Sequence, residues 1–367
     1  MIKSFNPDRL PTGKVIAAVA IHNNTAHSYA IYLPKKAAAN NRYNVLIFFD
    51  PHANAQPTIA QYRQLAERYS CILIASSNSQ NGMDMNDTKA IAEELVDEAI
   101  DFYGADEDKI ILCGFSGGAK VAINAAMELS NISRVVYCGA TLPFQSCNHR
   151  LSLLGFAGKK DMNYSDVVSA GMMKTNNNVN NYCVEWDGKH EWPDSATFEQ
   201  AFYFMNNDFL KLRLIKIDDA KMKMLETEQT MHQQYIADLQ TKDESYWQAE
   251  INKLNTAKDE TGLNKRLLGF ISLMCYSVSN QMLHQGNILA AHKILNIYKL
   301  ADPTNADCDY AFALMYAKMN QPDGVFMALN NAIKNGFKDV QKIKSESILS
   351  NYMMDKKMMD LVAQIKQ

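Results

Sequence analysis

Short apolar runs recur through the first 208 residues, near 14–21, 28–33, 44–49, 71–75, 109–113, 134–138, 151–157 and 182–186. Each is too short for a stable helix and rich in β-branched or aromatic side chains, so each predicts a strand. Helical spacing fills the gaps. It is clearest from Thr88 to Phe102, where Ile91, Leu95, Ala99 and Phe102 share one face, and Ala119–Leu129 is rich in helix formers. Pro193-Asp194 opens a final helix from Ser195 to about Leu210, and the asparagine-rich 176–181 reads as a polar loop before the last strand. Strands joined by helix-length crossovers predict an α/β domain: a mostly parallel eight-stranded sheet with helices on both faces.

From Lys211 the pattern changes. No β-like run follows, and Leu214, Ile217, Met224, Met231, Ile236 and Leu239 are interleaved with charges of both signs, predicting a helical connector. Beyond it, helices at Leu267–Leu283 and Ile288–Leu300 flank the turn Gln285-Gly286-Asn287. A second pair, Ala306–Met319 and Gly324–Asn335, flanks Gln321-Pro322-Asp323. The two turns lie 36 residues apart, and Ala290-Ala291 and Ala311-Phe312-Ala313 form small-residue seams. This resembles a pair of tetratricopeptide repeats, whose period is about 34; a generic helical bundle is the alternative. The expected division is 1–210 for the α/β domain, 211–260 for the connector and 261–367 for a tetratricopeptide-like all-α region.

The chemistry concentrates at Lys109-Ile-Ile-Leu-Cys-Gly-Phe-Ser-Gly-Gly-Ala-Lys120, where a buried strand enters Gly114-Phe115-Ser116-Gly117-Gly118 and leaves as a helix. That context turns G-x-S-x-G into a nucleophile elbow, a turn so tight that its flanks lack side chains and the serine hydroxyl stands above the sheet. A serine hydroxyl attacks near neutral pH only with a base beside it, oriented by a carboxylate. On such an elbow the partners follow in the order Ser, Asp or Glu, His. Asp161 lies just past the run 151–157, and His190 just past 182–186, at the strand ends where parallel sheets place their chemistry. Asp161 could instead be a solvated carboxylate or a helix N-cap. Asp166 and Asp187 are rival orienters, and His52 is the rival base, although it precedes Ser116 in the chain.

Four stretches then carry a family resemblance: His27–Pro34, Tyr43–Phe49, Tyr103–Gly118 and Gly188-Lys-His-Glu-Trp-Pro193. Over residues 10–208 the chain resembles an α/β-hydrolase, nearest the esterases that include polyhydroxybutyrate depolymerase-like, feruloyl and acetylxylan esterases. The resemblance implies a serine esterase with Ser116 as nucleophile, His190 as base and Asp161 as orienter. Such esterases carry His-Gly after the third strand to supply an oxyanion-binding N–H. Here Asp50-Pro-His-Ala-Asn-Ala-Gln-Pro57 aligns His52-Ala53 with it, so the hole is expected from the N–H groups of Gly117 and Ala53, although alanine resists positive φ. His52, Asn81 and Trp192 are candidate substrate contacts.

Composition narrows the partners. A net charge of −3 over 367 residues gives no reason to expect nucleic acid, and no apolar run reaches the ~20 residues of a membrane span. Lys3, Arg9 and Lys14 before Val15–Ile21 imitate a leader peptide, but Pro7 and Pro11 interrupt it and the β-branched content suits a first strand. A cytoplasmic protein is expected, with export after loss of a leader as the alternative. The seven cysteines form no C-x-x-C pair, and no His or Cys cluster has ligand spacing, Asp50-x-His52 being the nearest, so neither metal nor other cofactor is expected. The expected substrate is a small or oligomeric ester. A protein partner on the helical repeats is the other expectation, and its extreme form is an adaptor with an idle hydrolase domain.

Overall fold

Each of the eight apolar runs forms a strand of one sheet. The computed structural model describes residues 10–36, 42–143, 147–173 and 178–365, so Lys3, Pro7, Arg9, Asn176 and Asn177 lie outside the described residues. The strands are β1 (Val15–Ala20), β2 (Ser28–Tyr32), β3 (Tyr43–Phe49), β4 (Cys71–Ser76), β5 (Ala105–Phe115), β6 (Arg134–Cys138), β7 (Leu151–Gly158) and β8 (Val179–Trp186). Their spatial order is β1-β2-β4-β3-β5-β6-β7-β8. β1 and β2 pair antiparallel, as do β2 and β4, and every other neighbour is parallel. The apolar run near the N-terminus is thus the edge strand β1.

Side chains alternate across a strand, and here both faces are covered, so the buried stretches of the central strands, such as Val45–Phe49 and Ile110–Cys113, are apolar at successive positions. Val45, Ile47, Phe49, Ile72, Ile74, Ile110 and Leu112 enter one core, against α3 (Met85–Tyr103), α4 (Gly117–Glu128) and α5 (Tyr164–Met172). Leu46, Phe48, Leu73, Ala75, Ile111 and Cys113 enter the other, against α1 (Ala55–Ala60), α2 (Arg63–Tyr69) and α6 (Ser195–Met205). All seven cysteines are buried and unbridged.

Three expectations shift. The last strand starts at Val179, inside the stretch read as a loop, because its asparagine is satisfied there: Asn181 accepts from the Tyr137 hydroxyl and donates to the Ala170 carbonyl. Helix α6 stops at Met205 rather than near Leu210, where Asn207 turns to φ +57°. Downstream, where the pattern offers no strand, Leu214 bridges antiparallel to Val184 and the Ile215 N–H donates to the Cys183 carbonyl, extending pairing along β8.

The chain divides into two compact units, Met1–Leu225 and Glu226–Gln367, the division falling within α7 (Asp219–Thr241). The second unit is helical: the end of α7, then α8 (Glu244–Thr256), α9 (Leu263–His284), α10 (Ile288–Ala301), α11 (Ala306–Lys318), α12 (Pro322–Lys334), α13 (Val340–Ser345) and α14 (Lys356–Ile365). α9 and α10 form one antiparallel hairpin, α11 and α12 another, with Ala291, Ala311 and Ala313 buried in the seams. Gly324 lets α12 close on α11, since a Cβ there would stand 2.6 Å from the Tyr316 ring.

Candidate active site

Ser116 sits between β5 and α4 at φ +52°, ψ −120°, a backbone conformation that costs an L-residue of order 1–3 kcal/mol. The surroundings enforce it. The Ser116 N–H donates to the Cys138 carbonyl at 2.8 Å, and its own carbonyl accepts from Ala119 N–H at 3.0 Å. Packing at the elbow is so close that a Cβ on Gly114 would lie 2.1 Å from the Gly118 carbonyl, and one on Gly118 would lie 1.9 Å from that of Phe49. No larger residue fits either position.

His190 reaches Ser116 from the loop after β8. Its Nε2 lies 3.0 Å from the Ser116 Oγ and its Nδ1 lies 2.9 Å from the Asp161 Oδ1. With the proton on Nδ1 the ring donates to Asp161 and accepts from the serine hydroxyl. Asp161 is 3% exposed by side chain against 24% for His190, so the carboxylate lies beneath and the imidazole faces the opening. The loops that carry them are zipped together, Lys159 N–H donating to the Trp186 carbonyl and Lys160 N–H to that of Gly188. Asn163 adds a second clamp: its N–H donates to Asp161 Oδ1 at 2.9 Å and its amide to the Gly139 carbonyl at 2.6 Å. Burial, reinforced by the Asp161 charge, pushes the Cys138 thiol well above its ordinary range, so it stays neutral beneath the site.

The rival residues lie elsewhere. Asp187 is exposed and pairs with Lys160 at 2.8 Å. Asp166 sits in the first turn of α5, its carboxyl pushed up by burial and then by Asp161. Asp161 does not cap α5, whose N-cap is Asn163. His52 is exposed and pairs through its backbone with Gln80.

The loop after β3 departs from its expected use. Ala53 does adopt positive φ, at +54°, but its N–H donates to the Asp50 carbonyl at 3.1 Å. Asp50, read from sequence only as a remote metal candidate, organises this loop. Its buried Oδ1 accepts from the N–H groups of His52 (3.0 Å) and Asn54 (3.3 Å), and its Oδ2 accepts from the Trp192 indole at 2.9 Å. Trp192 packs on Phe48, Tyr62, Phe115 and Phe198, and Phe115 in turn packs on His190. Asn81, from the loop after β4, comes up against Gly117. The sequence signal for Asp50 was its place at the C-terminal end of a buried strand, next to a proline. Nothing local marked Gly139, whose partner Asn163 lies 24 residues on.

Residues 24–202 match the family model described as Phospholipase/Carboxylesterase. Comparison with curated proteins finds no match. Among solved structures, the hyperthermophilic esterase of the archaeon Pyrobaculum calidifontis is similar at 13% identity and TM-score 0.41, over 54% of this chain and 84% of that one. The acetyl xylan esterase of Aspergillus awamori is similar at 15% identity and TM-score 0.39, over 53% of this chain and all of its own. The esterase LipW of Mycobacterium marinum is similar at 14% identity and TM-score 0.38, over 53% and 80%. With this sheet order and this elbow, residues 24–202 form an α/β-hydrolase domain, carboxylesterase-like in its match to the phospholipase/carboxylesterase family model.

Proposed function

We propose that the protein is a carboxylic-ester hydrolase in which Ser116, His190 and Asp161 act as a catalytic triad. The observation that carries this reading is the continuous relay of 3.0 Å from Ser116 to His190 and 2.9 Å from His190 to Asp161. Ser116 Oγ attacks the ester carbonyl carbon while its proton passes to His190 Nε2, and Asp161 holds the resulting imidazolium in place. The Gly117 N–H, at the first position of α4 with no helical carbonyl behind it, binds the oxyanion. Collapse breaks the C–O bond to the alcohol, which leaves with the proton from His190. Water then attacks the acyl-serine, giving its proton to His190, and the acid departs as Ser116 regains a proton. The Ala53 N–H, already taken by Asp50, is not assigned to the hole. A small or oligomeric ester is the proposed substrate, with Trp192 and Phe115 as apolar lining.

The helical unit we read as tetratricopeptide-like and suited to a protein partner, a reading supported by the two hairpins and their buried alanine seams.

Steady-state hydrolysis of short p-nitrophenyl esters tests the triad. Ser116→Ala should abolish turnover. Asp161→Asn should lower kcat by a factor on the order of 10⁴ by removing the group that fixes the histidine tautomer, whereas Asp187→Asn and Asp166→Asn should cost far less. Greater damage from Asp187→Asn than from Asp161→Asn would reassign the orienting carboxylate.

A further inference from the structure

An oxyanion hole needs two donors, and the loop after β3 has none to give. Four consecutive N–H groups there are already bonded: His52 to Asp50 Oδ1 (3.0 Å), Ala53 to the Asp50 carbonyl (3.1 Å), Asn54 to Asp50 Oδ1 (3.3 Å) and Ala55 to the Ala53 carbonyl (2.8 Å). Freeing any of them would unmake the turn that holds Ala53 at φ +54°. The second donor must come from another element.

Asn81 stands in the right place. Its carboxamide lies directly over Gly117: a Cβ built there would fall 1.8 Å from Asn81 Oδ1 and 3.5 Å from its Nδ2. The absence of a side chain at Gly117 is therefore what admits the amide to the elbow. The main chain beneath Asn81 is fixed, since its N–H donates to the Pro51 carbonyl at 2.9 Å and the adjacent Gln80 bridges to His52. Gly82 follows at φ +90° and turns the chain away. The side chain itself is exposed and, among the described residues, has no protein hydrogen-bond partner. The held backbone keeps the amide at the elbow, and with no protein bond to break its NH2 is free to turn and donate when negative charge develops.

We propose that the Asn81 carboxamide is the second hydrogen-bond donor to the oxyanion formed on Ser116, replacing the backbone N–H after β3. The proposal rests on the serine-esterase reading above, and the test separates the two. Asn81→Ala and the isosteric Asn81→Asp, which lacks the amide donor, would be compared with the full-length wild type on p-nitrophenyl acetate. Binding of an aryl trifluoromethyl ketone, which forms a tetrahedral adduct with the serine, would be measured in parallel. Both variants should lose roughly 10²-fold in kcat, with KM within about threefold, an unchanged melting temperature and a matching loss of ketone affinity. Unchanged kcat, or a rise confined to KM, in variants of an active wild type would overturn the donor role and leave the triad standing. A drop in kcat without a loss of ketone affinity would also overturn it. A folded wild type that neither hydrolyses the ester nor binds the ketone would overturn both readings.

Discussion

At the scale of single residues, the relay depends on space as much as on the groups that form it. Gly139 follows β6 at φ +65°, and a Cβ there would lie 3.0 Å from Asp161 Oδ2, 3.1 Å from His190 Nδ1 and 2.8 Å from the Phe115 ring. Gly139→Ala should therefore push carboxylate and imidazole apart. A misplacement of about 1 Å at such a site costs on the order of 10²-fold. We expect kcat on p-nitrophenyl acetate to fall by that much, with a stability loss of only about 1–2 kcal/mol from the left-handed backbone; full activity would mean that the relay tolerates displacement. Ser116, Asp161 and His190 were all legible as candidates, because a strand-end position and chain order are local signals. Gly139 was not: its demand for an empty Cβ comes from loops that only the folded sheet brings together.

At the scale of elements, Asp50 ties the loop after β3 to the loop after β8, residues 142 positions apart in the chain. One buried carboxylate satisfies two backbone N–H groups and the Trp192 indole, and Trp192 with Phe115 walls the side of His190. Asp50→Asn retains only one accepting oxygen and must abandon one set of donors, at a cost of about 1–3 kcal/mol. Trp192→Phe removes the indole bond alone. The two changes share a partner, so a double-mutant cycle by urea unfolding should show a coupling above about 0.5 kcal/mol; simple additivity would mean that the indole bond contributes nothing. The strands themselves were legible from alternating or continuous apolar runs. The extended segment at Leu214–Ile215 was not, since its pairing with β8 involves backbone bonds that side-chain pattern does not encode. The early start of β8 was hidden for a related reason, asparagines in a strand being acceptable only when partners such as Tyr137 and Ala170 are present.

At the scale of the whole molecule, the helical unit carries its own titration. His232 on α7 is buried, stacks on Phe270 at 3.8 Å and has an unpartnered Nε2; the buried Arg266–Glu228 ion pair also lies in this unit. Burial, and then the Arg266 charge, lowers its pKa from 6.5 to about 4. The unfolded chain therefore takes up a proton near pH 6.5 that the folded chain refuses until about pH 4. The contribution of neutral His232 is present in full above 6.5 and is lost as pH falls through that window, a swing on the order of 3 kcal/mol. Melting temperatures from pH 7 to 4.5 should fall more steeply for the wild type than for His232→Phe, and parallel curves would contradict the shift. The chemistry proposed for the whole molecule depends on Ser116 being an activated nucleophile. Its most direct test is mass-spectrometric mapping of the adduct formed with a fluorophosphonate by the full-length protein. A single adduct on Ser116 is expected, absent from Ser116→Ala and strongly slowed in His190→Ala; a folded wild type that remains unlabelled, or an adduct on another residue, would mean that Ser116 is not the nucleophile.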